Sequence, residues 1–161
     1  MISSPYLLDR KIMNQLRNIA NNLKLVSDAD HIALQRLVTE AAWRVDEGKS
    51  DTLYELFVEN GQLVIGGHIY KGRESIKNWG IKIEQEKTYK SIRHVTGNMR
   101  FLTLNNDTAD GITILTVFMD DEKSSSIPWV VGEDHDSFVR TKEGWRFTNR
   151  RWVQLFVRPN L

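Results

Sequence analysis

The chain contains no cysteine. That absence excludes disulfides, thiolate metal sites, iron–sulfur clusters and cysteine nucleophiles, and it agrees with a reducing compartment. Only 3 prolines are present, and no Pro/Gly-rich linker, internal repeat or low-complexity tract divides the sequence. No apolar run approaches the ~18 residues of a membrane span. Asp9 interrupts Met1–Arg10 before a signal-peptide core can form. Charge of one sign is lacking too: 22 Lys+Arg against 21 Asp+Glu leave a formal +1, too weak a field to hold a polyanion. Glycine-rich phosphate loops, Gly-x-Ser-x-Gly elbows and His-Glu-x-x-His motifs do not occur, so nucleotide cofactors and serine-hydrolase chemistry have no support. The protein is expected to be soluble, unsecreted and cytoplasmic, with no membrane or nucleic-acid partner and no cofactor.

What is present fits one globular domain: 161 residues, of which 40% are hydrophobic and 27% charged. From Leu8 to Val26 the apolar residues Ile12, Leu16, Ile19 and Leu23 recur at spacings of three and four, predicting an amphipathic N-terminal helix. Ser27-Asp28-Ala29-Asp30 offers caps for a second helix. Its apolar positions Ile32, Leu37, Val38, Ala41, Ala42 and Val45 run to Gly48. A shorter helix follows, with Ser50 as cap, Leu53, Leu56 and Phe57 as buried face, and Asn60-Gly61 as its stop.

Two short strands, Gln62–Ile65 and His68–Lys71, flank Gly66-Gly67 as a hairpin. A further helix opens at Gly72-Arg73-Glu74 and carries Ile76, Trp79 and Ile83. Ile92–Leu104, Ala109–Met119, Trp129–Arg140 and Trp145–Val157 then read as strands separated by turn signals. One of those signals, Asn106-Asp107-Thr108, matches a glycosylation pattern but is expected to be a plain turn. Helices first and long strands after them predict an α+β domain, with helices covering one face of a curved antiparallel sheet.

Several local strings, in this order and spacing, resemble the SnoaL-like branch of the nuclear transport factor 2 superfamily. They are Val45-Asp46-Glu47-Gly48, Leu56-Phe57-Val58-Glu59-Asn60-Gly61, Tyr70-Lys71-Gly72-Arg73-Glu74, Arg93-His94-Val95-Thr96-Gly97-Asn98 and Glu143-Gly144-Trp145-Arg146-Phe147. The resemblance covers roughly Asp30 to Phe156. It implies a cone-shaped α+β roll, cystatin-like, whose bent sheet and helices enclose an apolar pocket, with residues 1–26 as a helical extension and 27–161 as the SnoaL-like domain. The superfamily is catalytically diverse. It includes polyketide cyclases, scytalone dehydratase, lindane dehydrochlorinase, bile-acid dehydratases, ketosteroid isomerase and the non-catalytic small subunits of ring-hydroxylating dioxygenases.

The resemblance also points to particular residues. Asp46 stands where dehydratase and dehydrochlorinase members keep a pocket aspartate. As an acid at a helix C-terminus it meets the negative end of the macrodipole, a placement that asks for another reason. Ala42 and Thr39 share its side of the helix with small side chains that leave a ligand room. His94 stands where the same members carry their catalytic histidine, which pairs it with Asp46 as a general-base dyad and sets it apart from His31, His68 and His135. Arg150 matches a pocket arginine suited to a leaving anion or developing oxyanion.

Strand alternation puts Arg150, Trp152 and Gln154 on one side and Arg151 and Val153 on the other. It also separates Glu133 and His135 from Asp134 and Asp136, so these four cannot share one metal ion, and no metal is expected. Many relatives carry tyrosine where this chain has His135. Asp134 is a candidate second pocket carboxylate, and Trp129 and Trp152 are the tryptophans best placed to line a pocket, with Trp145 assigned to the core.

The expected function is a cofactor-independent, dehydratase-like lyase or isomerase for a small, largely apolar substrate, cyclic ones included. Two alternatives stay open: a non-catalytic ligand-binding or small subunit of the dioxygenase type, and a polyketide-cyclase-like enzyme. Apolar residues left on the outer side of the sheet, together with the pairing habits of the family, predict a homodimer or homotrimer.

Overall fold

The computed structural model of the protein describes residues 24–86, 91–120 and 127–158. Helix α1 spans Asp28–Asp46, a 3-10 helix Ser50–Leu56, and helix α2 Arg73–Glu86. The strands are β1 Lys24–Leu25, β2 Phe57–Ile65, β3 His68–Lys71, β4 Ile92–Asn105, β5 Thr108–Met119, β6 Val130–Thr141 and β7 Gly144–Val157. Among the described residues they form one seven-stranded sheet in the order β1-β4-β5-β6-β7-β2-β3.

The four long strands appear where turn chemistry and apolar runs place them. Gly66 and Gly67, with φ of 58° and 79°, close the β2–β3 hairpin between Ile65 and His68, the left-handed pair that a two-residue connection of this hand requires. Ser27 caps α1, its hydroxyl accepting from the Asp30 N–H at 3.2 Å.

Four expectations are corrected. The stripe residues Ile12, Leu16, Ile19 and Leu23 of the N-terminal helix lie outside the described residues, but Lys24–Leu25 are strand rather than helix. They pair with Thr103 and Leu102, and the Val26 N–H continues that pairing onto the Phe101 carbonyl. Ile32 is half exposed while Leu34 is fully buried, so the buried face of α1 is rotated from the anticipated one. The short helix is 3-10 and ends at Leu56; Phe57 already belongs to β2, which runs through Asn60-Gly61 by means of a bulge. Finally, the sheet is antiparallel at every pairing except β2 with β7, which run parallel (Leu63↔Arg150). Parallel neighbours need a long connection, here everything from β3 to β6.

Burial alternates along β5, where Ala109, Gly111, Thr113, Leu115 and Val117 face inward. The largest cluster joins Phe57, Phe101, Phe138 and Phe147 to Leu34 and Val38 of α1 and Ile76 of α2. Each such fully buried side chain contributes roughly 1.5–3 kcal/mol by removal from water. A second cluster, Ile92, Leu115, Val117 and Val130, lies toward the other end of the sheet. Both clusters contribute walls to a single cavity.

Candidate active site

The cavity measures about 620 Å³, within the roughly 300–1,000 Å³ typical of ligand pockets. Its walls are mostly apolar: Ala41, Ala42 and Val45 of α1, Leu53, Leu63, Trp79, Ile92, Leu115, Val117 and Val130. Among these, His94, Asp134, Arg150 and Gln154 are the polar groups of interest, and Trp129 and Trp152 stand beside them. Every residue expected to bind substrate (Ala42, Trp129, Asp134, Trp152 and Gln154) therefore lines the cavity. His31, His68 and His135 do not: His31 packs edge-on against Phe101, His68 is exposed beside Tyr70, and His135 lies within 3.0 Å of Glu133 on the opposite face of β6.

Asp46 stands behind His94. Its carboxylate takes two bonds from that one residue, the His94 backbone N–H at 3.0 Å and the ring Nδ1 at 2.5 Å. The Arg93 guanidinium next door donates to the Asp46 carbonyl at 2.9 Å, placing a cation at the helix C-terminus, where it is favourable. The end of α1 is thus riveted to the start of β4, which accounts for an acid at this poor position. Both side chains are shielded, His94 13% and Asp46 6% exposed. A carboxylate only accepts, so Asp46 fixes the proton of a neutral imidazole on Nδ1 and leaves the Nε2 lone pair for the cavity.

Arg150 does point inward, through a bulge in β7. Register shifts between Phe138↔Phe147 and Ser137↔Asn149, so Phe147 and Arg150 both face inside, the guanidinium 4.9 Å above the Phe147 ring. Each of its terminal nitrogens is engaged by an acid. Nη1 bonds Asp136 at 3.1 Å and Nη2 bonds Asp134, all three side chains being buried.

Burial acts first on this trio and pushes the Asp136 carboxyl well above its ordinary value, with the Asp134 charge adding to the effect and Arg150 opposing it. Asp134 is also raised by burial, against the pull of Arg150 and of His94. Burial presses Arg150 down, but its two acids outweigh that and leave it raised. Asp136, unassigned in the sequence reading, completes the trio; its only signal there was sharing a strand face with Asp134.

Gly132 was also missed. A β-carbon there would stand 2.5 Å from the Trp152 ring, so the indole lies across β6 only because that position is bare. Among the remaining tryptophans, Trp79 serves both core and cavity. Trp145 is in the core, donating to Asp30 at 3.0 Å, and Trp43 is exposed.

A bent sheet closed by helices over an apolar cavity defines a cystatin-like α+β fold of the nuclear transport factor 2 kind. Within that class the chain belongs to the family of SnoaL-like domains, whose model matches residues 28–151. Similar solved structures include a protein of unknown function with a cystatin-like fold from Nostoc punctiforme, at 17% identity over 84% of this chain and 98% of that one, TM-score 0.71. A protein from Novosphingobium aromaticivorans described as a candidate scytalone dehydratase is similar at 16% identity over 83% and 89%, TM-score 0.69. LinA is similar at 19% identity over 84% and 95%, TM-score 0.69. The search of curated proteins returns no match. No helix among the described residues is long and apolar enough to cross a membrane.

Proposed function

We propose that this protein is a cofactor-independent lyase or isomerase of the dehydratase type, acting in the cytoplasm on a small, largely apolar substrate, cyclic ones included. The observation that carries this reading is the 2.5 Å contact between Asp46 and His94 at the wall of an apolar cavity. In it, His94 Nε2 removes a proton from a substrate carbon and Asp46 stabilises the imidazolium that forms. Trp129 and Trp152 offer flat faces to a ring, Ala42 leaves it room, and Gln154 supplies a polar contact. Arg150 contributes through the acids that it holds. A packing subunit would have no use for a buried, oriented imidazole.

The test is a screen for elimination and isomerisation activity on wild type and three variants. His94→Ala should abolish turnover while His31→Ala and His68→Ala stay near wild type. Equal losses at all three would mean a stability effect or another site, and would remove the assignment.

We also propose a homodimer or homotrimer formed through the outer face of the sheet. Ile112 and Ile114 lie half-buried there with no helix of the described residues over them, and Val95 and Leu104 on the same face are more than half exposed.

A further inference from the structure

Two buried carboxyls flank one buried guanidinium at the inner face of β6 and β7. The arrangement follows from register: Asp136 stands directly opposite Arg150, and Asp134 is its diagonal neighbour, opposite Trp152. One positive charge cannot neutralise two negative ones among buried side chains, and an uncompensated buried charge is lost by protonation before it is tolerated. The structure carries a mark of this. Asp136 Oδ2 accepts from Arg150, whereas Asp136 Oδ1 is buried with no hydrogen-bond partner among the described residues, an unfavourable state for a carboxylate oxygen and a more tolerable one for a carboxyl. Asp134 lines the cavity together with His94; Asp136 lies behind it.

We propose that Asp134, Arg150 and Asp136 form a buried proton store that holds one proton between its two carboxyls at neutral pH, and that Asp134 delivers this proton to an oxygen of the substrate. The proposal rests on the elimination reading for its second half only. It changes the role of Arg150: with Nη1 and Nη2 each bonded to an acid, the guanidinium holds the acids in place. It also narrows the substrate to one whose leaving group must be protonated, a β-hydroxy carbonyl compound.

The step balances. His94 Nε2 takes the proton on carbon, the C–H pair becomes the new C=C bond, and the C–O pair departs with oxygen. Oxygen then receives the proton of the store to leave as water, and the store ends with both carboxyls ionised, beside an imidazolium. Arg150 from β7 and His94 from β4 face Asp134, with Asp136 beside it on the same strand face; Arg150, His94 and, from the other face of β6, His135 all favour its ionised form. Opposite it on β5 stands Thr113, which does not titrate. The charge gained by His94 in the first half of the step therefore eases proton release by Asp134 in the second. The two carboxyls titrate as a pair, and the proton belongs to the pair.

Carbon-13 NMR of protein labelled at its aspartate carboxyl carbons tests the store without any substrate. One carboxyl, assigned by its loss in Asp134→Asn or Asp136→Asn, should keep the protonated shift at neutral pH. Two signals that both ionise in the ordinary range near pH 4 would overturn the proposal.

Delivery is tested with two probes, the aldol of acetone and benzaldehyde, which loses water, and its acetate ester, which loses acetate. Both give benzalacetone, followed by its absorbance. Asp134→Asn should slow loss of water by at least ~10²-fold and loss of acetate at least tenfold less. Equal slowing of both would overturn delivery from Asp134. If His94→Ala leaves both rates intact, the elimination reading fails while the NMR result on the store stands.

Discussion

At the scale of single residues, the dyad should behave as one unit. Asp46→Asn keeps the shape of the carboxylate but removes the charge that stabilises the imidazolium, so folding should survive and turnover fall by roughly 10² to 10⁴. His94→Ala removes the base outright. Because either change disables the same device, the double variant should be little worse than His94→Ala alone, which a double-mutant cycle on the elimination activity measures. Losses that multiply would show two independent groups.

These two residues lie 48 positions apart, and nothing in their spacing joins them. They were legible through family resemblance and through the oddity of an acid at a helix C-terminus. Arg150 was legible only as an inward-facing side chain. That it holds two acids depends on the bulge between Phe147 and Asn149, which shifts the register by one, and on Asp136, whose only mark in the sequence was a strand face shared with Asp134.

At the scale of elements, the cavity depends on how closely α2 approaches the 3-10 helix. Gly80 allows that approach: a β-carbon there would lie 2.1 Å from the Ser50 carbonyl oxygen. Backbone cannot yield as a flexible side-chain tip can. The contact is completed by Glu84, which accepts from the Ser50 N–H at 2.9 Å. Gly80→Ala should therefore destabilise the fold by roughly 1–3 kcal/mol or more despite its better helix propensity, read as a lower urea midpoint at unchanged slope. An unchanged midpoint would mean that α2 moves aside freely.

Ser50 also shows where pattern reading stopped. It was expected as a cap, yet its hydroxyl is buried without a hydrogen-bond partner among the described residues, and the incoming carboxylate comes from a helix more than thirty positions away. By contrast β4 to β7, α2 and the β2–β3 hairpin were legible to within one or two residues at most ends, because turn residues and apolar period are local signals. Phe57 was correctly read as buried and wrongly as helical, since a 3-10 turn running into a bulged strand keeps no single period.

At the scale of the whole molecule, the sheet has one face under helices and one face that no helix among the described residues covers. If that second face joins copies, light scattering at micromolar concentration should give the mass of a dimer or trimer, and Val95→Lys with Ile114→Lys should lower it to that of one chain. A single-chain mass for the wild type would dismiss the assembly. The inner face of β5 was legible from alternation, but that of β7 was not, because its bulge brings Phe147 and Arg150 to the same side. The parallel seam between β2 and β7 was not, because no local pattern states which strands become neighbours.

That seam has a consequence in time. Gln62 and Asn149 meet across it although 87 positions separate them, whereas β4 to β7 can zip as successive hairpins. Closing so large a loop carries its entropic cost before any contact rewards it. The chain should therefore gather its hairpins first and seat β2 last. Until β2 is seated, the wall of the binding cavity formed by Leu63 is missing, and competence to bind arrives in the final event of folding.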